Sequence, residues 1–266
     1  SADPSLVGNS VTAISTWRQL TVKYADYYNR TLSVLKGFMR QQQHVLSNAG
    51  NQRIHLSHAD IARVEAAATE YDLFGIVGQS FFVVTPCQSV AFPGMVLNGT
   101  EILIREVSSH YSLELSIRTT RHVDRVDQFD REMRAAWEHL CGLMADWIRT
   151  GGGTSGHGGW AVEAAILRFA YFWHQALPLS RGTAMVGYAT LQGLFLAAGK
   201  EITASIPPRM QVDWEAMLTP SVDDFISRMS DWIYPSIVDA RSFHTLPGMH
   251  QAFPTVDSVL KMMADV

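Results

Sequence analysis

Residues 160–176 and 183–198 read as two successive helices that are apolar on nearly every side, joined by the short loop 177–182. A helix without a polar stripe cannot sit half-exposed the way an ordinary surface helix does. Two in a row therefore predict the buried centre of a helical domain. The rest of the chain has to cover them, and its composition fits that task. Of 266 residues, 47% are apolar and 17% charged, with seven Trp, twelve Phe, eight Tyr and eleven Met. That is enough for one large core, or one core with a smaller appendage, and too apolar for disorder. Lys plus Arg is 21 against 25 Asp plus Glu, without a basic run, which excludes a general nucleic-acid binder. Two cysteines, Cys87 and Cys141, do not make a disulfide scaffold. No apolar stretch approaches the roughly twenty residues a membrane-spanning helix needs. Sequons at Asn29 and Asn98 leave the compartment open between cytoplasm or nucleus and a secretory lumen.

Ahead of the apolar pair, residues 11–47 carry apolar side chains at three- and four-residue steps and predict a long helix ended by Asn48-Ala49-Gly50-Asn51. Ser57 reads as the N-cap of a helix over 59–71. Phe81-Phe82-Val83-Val84-Thr85-Pro86 reads as a strand stopped by Pro86. Residues 101–107 and 111–119 form a hairpin pattern, with Leu113, Leu115 and Ile117 alternating against Glu114, Ser116 and Arg118. Residues 127–148 form an amphipathic helix bearing two Trp, a Gly-rich stretch follows at 151–159, and 223–233 is a last clear helix.

The loop between the apolar helices is where chemistry is expected. A helix start offers unpaired N–H groups and the positive end of the dipole. Ser180, Gly182, Thr183 and Ala184 are small enough to admit an anion, and Arg181 adds a planar fork suited to phosphate. The plainer reading is a Pro/Gly-containing turn after Pro178 with one solvated Arg. Arg118 is either an exposed strand residue or a group that reaches this loop from the hairpin. His174 is a core residue or a general base. Glu201 is a solvated helix end, or it orients Arg181 or a ribose hydroxyl. Glu163 and Arg168, on the apolar helix, form an internal ion pair or a site. Asp213-Trp214-Glu215 reads as a packed Trp corner, and Cys87 as a buried or loop thiol. No metal-ligand spacing is present.

The stretch from Glu163 to Ile202 resembles the core helix–loop–helix of Fic domains, whose loop has the form HPFxDGNGR. Pro178, Gly182 and Gly199 fall on the family's Pro, first loop Gly and helix-terminal Gly. The hairpin corresponds to the flap that holds a target peptide in those enzymes. The catalytic His position is Leu177, the metal-binding acid is Arg181, the second Gly is Ala184, and the phosphate-binding Arg is Met185. A second resemblance covers about residues 60–240. VGQSFFVVTPCQSVAFPG, NGTEILI, ELSIRT, FDREMRAAWEHLC, PLSRGTAMVGY, QVDWEAML and SDWIYPSI are similar to the C-terminal domain of plant immune-suppressor tetratricopeptide-repeat proteins and their animal homologue. This implies helical repeats upstream and negative regulation through protein complexes.

Together these readings predict a mainly α, Fic-like domain with a central buried helix–loop–helix and one β-hairpin flap. Its expected divisions are an N-terminal helical segment over 1–55, the domain over 56–245 and a tail over 246–266. One functional expectation is a divergent transferase acting on a protein side chain. It would hold a nucleotide or nucleotide-sugar, without metal, through Pro178, Ser180, Arg181, Gly182, Thr183, Ala184 and Arg118, with His174 or Glu201 as base. The other is a catalytically silent domain that binds a protein substrate or regulatory partner, with neither nucleic acid nor a membrane span involved.

Overall fold

The computed structural model describes residues 25–107, 112–119, 124–149, 159–179, 182–208, 210–240 and 255. Helix outweighs strand, as expected, but the single hairpin is corrected to a five-stranded antiparallel sheet of order β2-β1-β3-β4-β5. The predicted hairpin supplies β4 (Val96–Val107) and β5 (Ser112–Thr119), joined to β3 (Phe81–Gln88). It is therefore part of a packed sheet and not a separate flap: Leu113, Leu115 and Ile117 are all buried.

One strand comes from chain expected to be helical, and a second from the stretch between the two expected helices. α1 (Ala25–Gln42) ends where Gln43 turns left-handed, at φ 49°, and β1 (His44–Ser47) follows. β1 pairs with β2 (Arg53–His55), so Asn48–Asn51 is a hairpin turn and not only a helix stop. The expected helix over 59–71 is two helices, α2 (His58–Ala66) and α3 (Glu70–Val77). Ser57 caps α2 as predicted, in a reciprocal box with Asp60. Thr69 and Asp72 repeat the device and start α3. Pro86 does not stop β3. β1 pairs only with Phe81 and Phe82, so no neighbouring strand asks Pro86 for the N–H it lacks, and the register shifts between Val84 and Pro86.

The helical half comprises α4 (Arg125–Arg149), α5 (Gly159–Ala176), α6 (Thr183–Ala197), α7 (Val212–Met217) and α8 (Val222–Ile233). A two-stranded ribbon, β6 (Lys200–Ile202) with β7 (Ile237–Asp239), closes it. One apolar core gathers Phe129, Ile166, Tyr171, Phe195, Phe225 and Met229 between these helices. A second lies between α1, α2, α3 and the sheet, around Leu35, Met39, Phe81, Ile102 and Ile104. α7 serves both: Val212 and Ala216 enter the first, Trp214 and Met217 the second. The sheet therefore runs across the expected division at residue 55, and α1 shares a core with the strands that follow it.

Complete burial is corrected for both apolar helices: α5 is buried along most of its length but leaves Trp160 53% exposed, and α6 departs further. α6 buries every fourth residue, Thr183, Gly187, Leu191 and Phe195, while Met185 is 75% and Val186 41% exposed. A 15-residue helix without one charged side chain thus shows an apolar face to solvent.

Candidate functional site

The end of α5 is fixed by a residue that the sequence did not single out. Arg125, buried at the start of α4, donates from Nη1 to Ala176 O at 2.7 Å and from Nη2 to Gln175 O. Its Nε donates to Gly99 O at 3.4 Å and its plane lies over Phe129. Burial lowers its pKa to about 10. These bonds take up carbonyls that a helix end leaves orphaned and join α5 to β4. Gln175 Nε2 donates to Ala216 O at 2.7 Å and ties the same turn to α7.

Leu177 then adopts φ 46°, a left-handed conformation uncommon for a branched side chain, and buries itself in the sheet-side core. This is the position that corresponds to the catalytic His of the Fic pattern, and here it is a packing residue. Pro178 is exposed and Leu179 half-buried. The loop closes through Thr183, whose hydroxyl donates to Leu179 O at 3.0 Å and accepts from Leu179 N–H at 3.3 Å. Trp173 Nε1 donates to Thr183 O at 3.0 Å. Gly182, at φ 79°, is the N-cap of α6 and supplies no side-chain cap, and Ala184 is exposed. Among the described residues no side chain caps the first turn of α6. Ser180 and Arg181 lie outside the described residues.

The remaining candidates do not gather at this loop. The His174 ring is fully buried and neither nitrogen has a hydrogen-bond partner. Burial lowers its pKa to about 4. It packs on Gly187 of α6, where an added Cβ would stand 2.6 Å from its Cε1. Arg118 lies on the sheet, ion-paired with Glu101, bonded to Asn48 Oδ1 at 3.1 Å and stacked over Phe82. Glu201 is exposed in β6, paired through its backbone with Val238. Glu163 and Arg168 do not pair with each other: Glu163 Oε2 and Arg168 Nε are both buried without partners among the described residues. Five residues apart on a helix, they fall on different faces. Burial raises the Glu163 pKa. The Trp corner is present. Glu215 accepts from Tyr27 Oη at 2.8 Å and pairs with Arg30, while Tyr27 tilts against Trp214. Cys87 is a buried free thiol, pushed up to about 12 by burial.

Several cavities lie away from the loop. One of about 550 Å³ opens on the sheet beside His44, Arg53, Phe82 and Glu101. Another of about 200 Å³ lies between α4, α5 and the β3–β4 loop. Among the described residues no cluster of His, Cys, Asp and Glu is placed to hold a metal, and no helix is long and apolar enough to cross a membrane.

The chain is 35% identical over 244 residues to Suppressor of RPS4-RLD 1 of Arabidopsis thaliana, a match spanning 91% of this chain and 23% of that protein. It is 36% identical over 73 residues to tetratricopeptide repeat protein 13 of Homo sapiens, covering 27% of this chain and 8% of that one. The chain is thus related to a tetratricopeptide-repeat protein, and it spans less than a quarter of the length of either relative. No family model matches, and no solved structure matches.

Proposed function

We propose that this chain is the interaction domain of a tetratricopeptide-repeat regulatory protein and that it docks a helical partner on the outer face of α6. The observation that carries this is the exposed apolar face of that helix, with Met185 and Val186 at its head. Ala184, Ala189, Gly193 and Ala197 continue it as a run of small exposed residues. Small residues let a second helix come within the usual 8–10 Å axial separation. A contiguous exposed apolar patch of this kind marks an interaction surface. The test mixes the chain with the part of the Arabidopsis relative that lies outside the matched stretch. The expected result is a complex that the double substitution Met185→Asp, Val186→Asp abolishes without moving the Tm of the free chain. No complex, or one indifferent to the double substitution, would sink the reading.

A second reading is supported by the uncapped start of α6. Its first-turn N–H groups, with Arg181, would hold the phosphate of a nucleotide or nucleotide-sugar donor without metal, in a divergent Fic-like transferase. A ligand that binds only the folded chain raises Tm by mass action. A nucleotide and nucleotide-sugar panel, with and without chelator, should then shift the wild type but not Arg181→Ala. An unshifted wild type across the panel removes this reading and leaves the first intact.

A further inference from the structure

Arg168 projects from the middle of α5 into the cavity of about 200 Å³ that it lines with Val90, Glu132, His139 and Phe172. Its Nε is shut off from water without a hydrogen-bond partner. Among the described residues no carboxylate pairs with its guanidinium. A buried donor on a charged group that forfeits hydration with nothing in exchange is costly, and such groups in native proteins call for an explanation.

Glu132 does not supply the missing partner, although it borders the same space. Its carboxylate is buried and turned toward the β3–β4 loop, where Ser89 Oγ donates to Oε1. Val90 N–H and Ala91 N–H donate to Oε2, each at 3.0 Å. Three donors therefore spread and offset that charge, and they hold the loop in place. Arg168 and His139 are the other polar residues that line the cavity.

The geometry points to a carboxylate acceptor: we infer that this cavity receives the side-chain carboxylate of an Asp or Glu in a partner polypeptide. An Arg fork matches a carboxylate with two parallel hydrogen bonds. The volume is several times the roughly 30 Å³ of one water, room for a carboxylate and its methylene stem. It is below the roughly 300–1,000 Å³ of sites that enclose a nucleotide-sized ligand. One guanidinium beside a carboxylate favours a monoanion over a phosphate dianion. Ala135, Ala136 and Phe172 line the cavity with Val90, and Val90, on the anchored loop, is more than a third exposed. Apolar residues flanking the acidic one would therefore have surface to cover. This inference is independent of the α6 face and of the loop at 178–184.

Three tripeptides serve as probes: acetyl-Leu-Glu-Leu-amide, the same with Gln, and the same with phosphoserine. The readout is the ¹⁵N resonance of Arg168 Nε, assigned by its loss in Arg168→Gln, together with Tm. The expected result is a saturable shift with the Glu peptide, bound about tenfold or more tighter than the Gln peptide, as befits a charge-assisted bond. The response should vanish in Arg168→Gln, with Arg168→Lys as the folded control if that variant fails to fold. No saturable shift, equal binding of the Gln peptide, or binding that survives the loss of Arg168 would overturn the inference. Tighter binding of the phosphoserine peptide would overturn the carboxylate assignment.

Discussion

Gly187 and Gly193 sit in the same helix and make opposite demands. A Cβ on Gly187 would lie 2.6 Å from His174 Cε1 and from Trp173 Cδ1, whereas nothing stands within 4 Å of one on Gly193. Helix propensity favours Ala over Gly by about 1 kcal/mol at both positions. At Gly187 the fully buried His174 ring cannot withdraw, and overpacking of roughly 1–3 kcal/mol outweighs that gain. Urea melts should therefore show Gly187→Ala destabilised and Gly193→Ala stabilised by about 0.5–1 kcal/mol. His174 sets a pH dependence. Its folded pKa of about 4 lies below the ordinary value of 6.5, so the unfolded chain binds the proton first as pH falls. The neutral ring's contribution is whole above pH 6.5 and is lost as pH falls toward 4, by about 3 kcal/mol. Glu163 and Asp213, both raised by burial, act in the other direction: their contribution is present at low pH and is lost as pH rises through their folded pKa values. Comparing the wild type with His174→Phe between pH 7 and 4.5 isolates the imidazole. A variant that loses as much stability as the wild type over that range would refute the assignment. The burial of His174 was legible from its apolar helix. Its lack of any partner was not, because that depends on which side of α6 carries the bare glycine.

At the scale of elements, local signals decided more than propensity did. Thr69 and Asp72 form a capping box that divides what reads as one helix into α2 and α3. The Thr-x-x-Asp spacing stood in the sequence and was overridden by the apolar periodicity around it. Thr69→Ala should cost about 1 kcal/mol, and amide exchange should rise in Glu70–Val77 before it rises in the neighbouring helix. An unchanged exchange pattern would show that packing of Leu73 alone starts α3. The strand status of 44–47 was illegible for the converse reason. Four residues with alternating burial become a strand only because β2 and β3 supply partners. The break between the two apolar helices was legible from its Pro, Gly and small residues. What holds it was not found, since Arg125 is 50 residues distant in sequence from Gln175, whose carbonyl it caps. The part of the Thr183 hydroxyl was not legible either, because it closes the loop onto Leu179 through the fold of the turn itself.

At the scale of the molecule, two cores are joined through α7 and the turn at Ala176 and Leu177, adjacent residues that enter different cores. The sheet and α1 are not an appendage to the helical half. A chain trimmed to begin at residue 56 would lose α1, β1 and β2, along with the fully buried Leu35 and Met39 and the Tyr27 and Arg30 partners of Glu215. It should lose cooperative unfolding in calorimetry. A trimmed chain melting in one transition at the full-length Tm would refute this. The sequence by itself determined the centre: two long, largely apolar segments have no stable place except against other apolar surface, so a helical core around one loop followed directly. Only the tertiary structure decided how much of each segment is covered, where the lone charges go, and whether the candidate catalytic groups meet. Those outcomes depend on contacts between residues far apart in the chain. Periodicity reports which face of an element is apolar, and a helix that is apolar all round gives no signal of which face its neighbours will leave open.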